Sequence, residues 1–196
     1  MRETLLLLRP EDYVTTQWSG GTTTQLTIAP SGAVYADRDF LWRISSAAVS
    51  VKESDFTALP DYHRLISVLK GEMTLAHNGG ESFTLHPYEV HEFEGSDNTH
   101  SWGQCTDFNL MLRRGQADGT METRRLFAES EIYHPAPQAE QILLYCAAGS
   151  CGIVCQGETL VIHSGESLLV RQVDGGDMTL KSEGHAQLMI CQMWRV

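Results

Sequence analysis

Two stretches of the chain, Gly80–Glu89 "GESFTLHPYE" and Gly157–Glu166 "GETLVIHSGE", align without a gap. Each reads Gly-Glu, four residues, His, two residues, Glu. Upstream, "VLKGEMTL" and "CAAGSCGIV" place a glycine before a strand at nearly the same offset. A period of roughly 75 residues is too long for a propeller blade or a solenoid unit. It suits a small β-barrel that has been duplicated.

The surrounding pattern agrees. "FLWRISSAAV", "RLISVL", "EMTLAH", "SFTL", "DFNLMLR", "QILLYCA", "GIVC", "TLVIH", "SLLVRQV", "MTLKS" and "QLMICQMW" are apolar or alternating runs bounded by Gly, Asn, Asp or Pro, the signature of short strands. His77-Asn78-Gly79-Gly80 lies between two of them and predicts a type I′ hairpin, since Asn and Gly tolerate positive φ. Helical periodicity is nearly absent, with short helices expected only around "SDFTALP" and "TRRLFAES". The pattern reads as an all-β barrel or sandwich with few short helices. The repeat resembles the cupin pattern, and that resemblance implies a bicupin of two jelly-roll barrels. Residues 1–128 form the first barrel and residues 129–140, "ESEIYHPAPQAE", a connector. Residues 141–196 form the second barrel, completed by N-terminal strands in one compact unit.

The net charge of -11 argues against nucleic-acid or anionic-membrane partners, which need a basic surface. A small anionic ligand stays open, because a pocket needs only one or two well-placed arginines. "MRETLLLLRPED" reads as a first strand rather than a signal peptide, and no run approaches the roughly 20 apolar residues of a membrane span. A cytoplasmic protein is expected, and a homodimer is left open. Cys105, Cys146, Cys151, Cys155 and Cys191 contain no CxxC pair and read as buried reduced thiols.

The segment Thr84–Gly95, "TLHPYEVHEFEG", has the residue types of a metal site. Strand alternation puts Glu89, His91 and Phe93 on one face and Val90, Glu92 and Glu94 on the other. At most one histidine and one or two carboxylates converge, whereas a transition-metal site usually needs three or four ligands. His86 lies across a turn, no spacing brings in His63 or His100, and neither half contains His-x-His. The expectation is no metal and no cofactor.

Polar residues on strands need another explanation. Arg43 and Ser45 share a face, as do Asp107, Asn109 and Met111, and Arg64 alternates with Leu65. Two readings stand side by side. If these faces point inward, the arginines grip a ligand carboxylate while Asn109 and Ser45 orient it. If they point outward, Arg43 or Arg64 pairs with Asp107 as a structural ion pair. In "QWSGGTTTQL" the glycines and threonines lack the lysine of a P-loop and read as a turn into a strand, with Trp18 available to a pocket mouth.

The ordered blocks "WSGGTTTQL", "FLWRISSA", "DFTALPDYHRLISVLKG" and "DFNLMLRR" resemble the HutD/Ves family over about Trp18 to Arg114. The resemblance implies a bicupin without a known metal, associated with histidine utilisation, that binds a small urocanate- or formylglutamate-like acid in a regulatory role. Trp18 and Thr24 match its "W-x-N-G-G-G-x-T" loop, Arg43 and Ser45 its "W-R-x-S" strand, and Arg64 its "E/H-R" position. Asp107, Asn109 and Met111 match "D-F-N-x-M". The chain departs in the first block, where the asparagine after the tryptophan is missing and the loop is one residue shorter. These eight residues are the expected ligand site of a non-catalytic binding protein. The rival classes are a metal-dependent cupin isomerase or oxygenase using His86 or His91, and a ligand-free interaction protein.

Overall fold

Alternating apolar runs separated by Gly, Asn and Asp fold as antiparallel strands throughout the computed structural model, which describes residues 4–196. The first strand is β1 (Leu5–Leu8). Then come β2 (Val14–Trp18), β3 (Gly21–Ala29), β4 (Trp42–Val49), β5 (Glu53–Asp55), β6 (Tyr62–Gly71) and β7 (Met73–His77). They are followed by β8 (Phe83–Leu85), β9 (Val90–Glu94), β10 (Thr99–Trp102), β11 (Cys105–Arg113) and β12 (Ala117–Phe127). The remainder are β13 (Ser130–Tyr133), β14 (Gln141–Cys155), β15 (Glu158–His163), β16 (Ser167–Val170), β17 (Met178–Lys181) and β18 (His185–Arg195).

The chain divides into two units, Tyr13–Asp118 and a second made of residues 4–12 with Gly119–Arg195. The Tyr13–Asp118 unit holds a six-stranded sheet, β2-β3-β4-β11-β6-β9, and a four-stranded sheet, β5-β10-β7-β8. Ile66, Val68, Met73, Leu75, Leu85, Phe93 and Cys105 form one core cluster, and Phe40, Leu59, Tyr62 and Met111 another. In the second unit an eight-stranded sheet runs β1-β16-β14-β17-β13, with β15 and β18 on β14 and β12 on β18. Its core is apolar, including Leu144, Cys146, Cys151, Ile153, Leu168, Leu188 and Ile190.

The repeated decapeptides form the same turn. The His86 N–H donates to the Glu89 carboxylate at 2.9 Å, and the His163 N–H to that of Glu166 at 2.9 Å. The third turn residue has positive φ in both, +68° at Tyr88 and +90° at Gly165. That conformation suits glycine and strains tyrosine. Gly71 and Gly149, the upstream pair, likewise both have positive φ, +81° and +75°. The hairpin at His77–Gly80 has positive φ at Asn78 and Gly79, with the Gly80 N–H bonded to the His77 carbonyl at 2.9 Å. It is the type I′ turn expected.

Several expectations change. "SDFTALP" contains β5 followed by irregular chain, and "TRRLFAES" lies largely within β12. Cross-strand pairing outweighs the weak helix propensity of these windows. The helical content described is instead two 3₁₀ turns, Pro10–Asp12 and Tyr35–Asp37. "QILLYCA" and "GIVC" are one long strand, β14, with a bulge between Cys146 and Ala148. The segment expected as a connector contains β13, paired with β17. The boundary between units falls at Asp118 rather than 128, and residues 4–12 lie in the same unit as Gly119–Arg195. All five cysteines are unpaired and buried, and burial raises their thiol pKa values, to about 12 at Cys105.

Candidate functional site

Strand register assembles the polar residues into rows across the six-stranded sheet. Arg43, Met111 and Arg64 stand opposite one another on β4, β11 and β6, and Ser45, Asn109 and Ile66 form the next row. Asp107, opposite Val68, lies one row further on. Arg43, Ser45, Arg64, Asp107, Asn109 and Met111 line a cavity of about 310 Å³ to which both sheets of the Tyr13–Asp118 unit contribute. The opposite face of the same strands is buried too, through Trp42, Ile44, Leu65, Phe108, Leu110 and Leu112. The alternative of a solvated outer face with a surface ion pair therefore does not hold.

The cavity brings together seven of the eight expected residues: Trp18, Arg43, Ser45, Arg64, Asp107, Asn109 and Met111. Thr24 is not among them. It pairs with Ser46, which alternates away from Ser45, and its hydroxyl bonds to Thr15 at 2.9 Å. Thr23, opposite Ala47, takes the inward place. Trp18 reaches the rim because Gly20 has no side chain, and a Cβ there would collide with the indole.

Arg43 and Arg64 are only 5% and 6% exposed, a costly placement for a cation without compensation. Arg43 donates from Nε to Gln25 Oε1 at 2.7 Å and from Nη1 to Ser45 Oγ at 3.0 Å. Its guanidinium lies over the Tyr35 ring at 4.2 Å, and Arg38 lies over the same ring at 3.9 Å. Arg64 lies over Phe56 and Phe93 at 5.0 and 4.9 Å. Among the described residues its side chain makes one long hydrogen bond, 3.4 Å to the Thr57 carbonyl, and its Nε has no partner. Burial lowers its pKa to about 10. Asp107 accepts the Ala47 N–H at 2.9 Å. Among the described residues neither Arg43 nor Arg64 comes within 4 Å of its carboxylate, and burial raises Asp107 to about 6. Asn109 Oδ1 is buried without a partner. A guanidinium has five N–H donors, so this set leaves donors unspent toward the cavity while its neutral partners hold the arginines in place.

Sequence reasoning missed Tyr35 and Phe56, which lie on or beside irregular chain, and Gln25, whose role depends on the bulge between Gln25 and Thr27. It also missed the partner of His91. His91 Nε2 faces His77 Nε2 at 2.9 Å, and His77 Nδ1 meets Thr99 Oγ1 at 2.8 Å. Both rings stack near Phe93, and burial lowers both pKa values. His86 is exposed beside Glu72 at 3.1 Å. His63 sits between Glu92 and Glu94, and His100 between Glu53 and Asp55. Among the described residues no group of three or more His, Cys, Asp or Glu is placed to hold a metal ion. No helix among them is long and apolar enough to cross a membrane.

Solved structures with this architecture include a conserved protein of unknown function, PA5104, from Pseudomonas aeruginosa PAO1. It has 25% identity and a TM-score of 0.87, over 98% of this chain and 100% of that one. HutD from Pseudomonas fluorescens SBW25, solved in a formate condition, has 22% identity and a TM-score of 0.77, over 98% and 99%. A cupin 2 conserved barrel domain protein from Leptotrichia buccalis shares the fold at 10% identity and a TM-score of 0.60, over 97% of each chain. Among curated proteins no match is found. The HutD family profile matches residues 10–190, a span that includes every strand lining the cavity, and the chain belongs to the HutD family.

Proposed function

We propose that this HutD-family chain is a metal-free bicupin that binds a small carboxylate metabolite in its Tyr13–Asp118 unit. Arg43 and Arg64 clamp the carboxylate, Ser45 and Asn109 orient it, Asp107 and Met111 close the floor, and Trp18 walls the mouth. One observation carries the reading: two buried guanidinium groups face a cavity with, among the described residues, no carboxylate within ion-pair distance, and they have N–H donors unspent. A ligand carboxylate supplies the missing acceptor, and a bidentate arginine contact is the strong form of that bond. A cavity near 310 Å³ lies at the low end of ligand pockets, about 300–1,000 Å³, and suits a urocanate- or formylglutamate-like acid. Binding without chemistry fits a regulatory role in histidine utilisation, in the cytoplasm, as a monomer or homodimer.

A thermal-shift screen of urocanate, N-formylglutamate, glutamate and histidine tests this. At a ligand concentration of about 100 Kd the native state gains about 2.7 kcal/mol, a shift of several degrees. The expected result is such a shift with at least one of the acids, abolished in Arg43→Ala. A screen with no Arg43-dependent shift ends the proposal. The rival metal-dependent enzyme predicts stoichiometric metal in untagged protein by elemental analysis. The histidine pair gives it little support, because each Nε2 is spent on the other ring.

A further inference from the structure

Asp107 is an unusual floor for an anion site. It is buried and faces the cavity, and it receives one hydrogen bond, from the Ala47 amide. Arg43 on β4 and Arg64 on β6 stand beyond ion-pair distance, so neither holds the carboxylate directly. Tyr35 and Arg38 from the 3₁₀ segment, Asp55 from β5, and Cys105 and Asn109 on its own strand complete the polar surroundings. With Asp107 ionised, the two arginines and this carboxylate leave the cavity one net positive charge. A carboxylate seated on the arginines then shares a cavity of about 310 Å³ with a second carboxylate, itself buried.

Neither arginine touches Asp107, so a ligand carboxylate that occupies the arginines leaves Asp107 a neighbouring carboxylate with no cation in contact, and a shared proton is the usual resolution of such a pair. We infer that the cavity takes its carboxylate together with one proton, which Asp107 holds and donates in an O–H···O bond to the ligand. This rests on the carboxylate site proposed above and adds its regulation. The proton comes from solvent onto Asp107 Oδ2 as the ligand enters and returns to solvent when the ligand leaves. No other bond forms or breaks. The Oδ1 atom keeps its bond from Ala47 throughout. Empty, Asp107 is already poised near pH 6 by burial, and the bound anion moves it further up.

Isothermal titration with N-formylglutamate is the test, because that ligand has no group titrating between about pH 5 and 8. Performed in two buffers of different ionisation enthalpy, it reads the protons exchanged. The expected result is net uptake approaching one proton per ligand near pH 7. Affinity then rises about tenfold per pH unit on going from about pH 8 to 7 and levels off below about 6. In Asp107→Asn the same range is flat. The uptake measured on the unaltered protein stands alone if that variant fails to fold. Arg43-dependent binding with no exchange overturns the inference while the site survives. So does proton release, as when a ligand N–H group sits on an ionised Asp107. No Arg43-dependent binding of N-formylglutamate or urocanate at any of these pH values removes the carboxylate site and the inference with it.

Discussion

The two units share a turn but not an interior. In both, a histidine N–H donates to the carboxylate of a glutamate three residues on, at the same distance of 2.9 Å. In the Gly119–Arg195 unit, however, the core residues of β14 and β18 are apolar and include Ile142, Leu144, Cys146, Ala186, Leu188 and Ile190. In the Tyr13–Asp118 unit, β4, β6 and β11 turn Arg43, Ser45, Arg64, Asp107 and Asn109 inward. An antiparallel β frame tolerates either filling, provided each buried polar group finds a partner. At the cavity, Arg64 Nε and Asn109 Oδ1 are buried without a partner, which is where the proposed carboxylate ligand would make its contacts.

This contrast can be broken from either side. Leu144→Ala, in the filled interior, should lose about 2–5 kcal/mol of stability and leave carboxylate binding intact, as read by urea denaturation and calorimetry. Arg64→Met should do the reverse. Replacing a buried cation that has no carboxylate partner by an apolar chain relieves its desolvation cost, so stability is expected to hold or rise, while binding is lost. Equal stability losses in both variants would erase the distinction between the interiors.

Asp107→Asn sharpens it. Asp107 has a folded-state pKa of about 6, above its ordinary 3.8. An acid raised in this way penalises the native state wherever it is ionised. The penalty is absent below about pH 4, grows as the pH rises, and is full above about 6. The variant should therefore be more stable than the parent by about 3 kcal/mol near pH 7.5 and match it near pH 4. A gain independent of pH would point to packing rather than charge.

The smallest expected effect lies in the shared turn itself. Tyr88→Gly removes a side chain from a left-handed position and should stabilise by about 1 kcal/mol, while Gly165→Tyr should destabilise by about 1–2 kcal/mol. Thermal midpoints moving in the same direction would show that the two turns are not equivalent.

Much of the site was legible because strands alternate with period two. Once Arg43 is placed inward, Ser45 follows, and Asp107, Asn109 and Met111 come as a set. What alternation cannot supply is register between strands. Whether Thr23 or Thr24 faces the cavity depends on which residue of β4 stands opposite, and "TTT" holds no clue. The His77–His91 contact has the same cause, since it joins β7 to β9 on different sheets. Tyr35 was hidden for another reason. It lies in a 3₁₀ turn, where no periodicity marks the inward side. The helix expected at "TRRLFAES" failed because its helix-forming residues sit in β12, where pairing with β18 decides the outcome.

The five buried cysteines have a practical use. Their thiols are shielded and held protonated, so the native surface offers nothing to a maleimide or a spin label. A single cysteine introduced at Thr16, on the rim of the cavity, would take such a label without any native thiol first being removed. The fold thus supplies its own silent background for watching a molecule arrive.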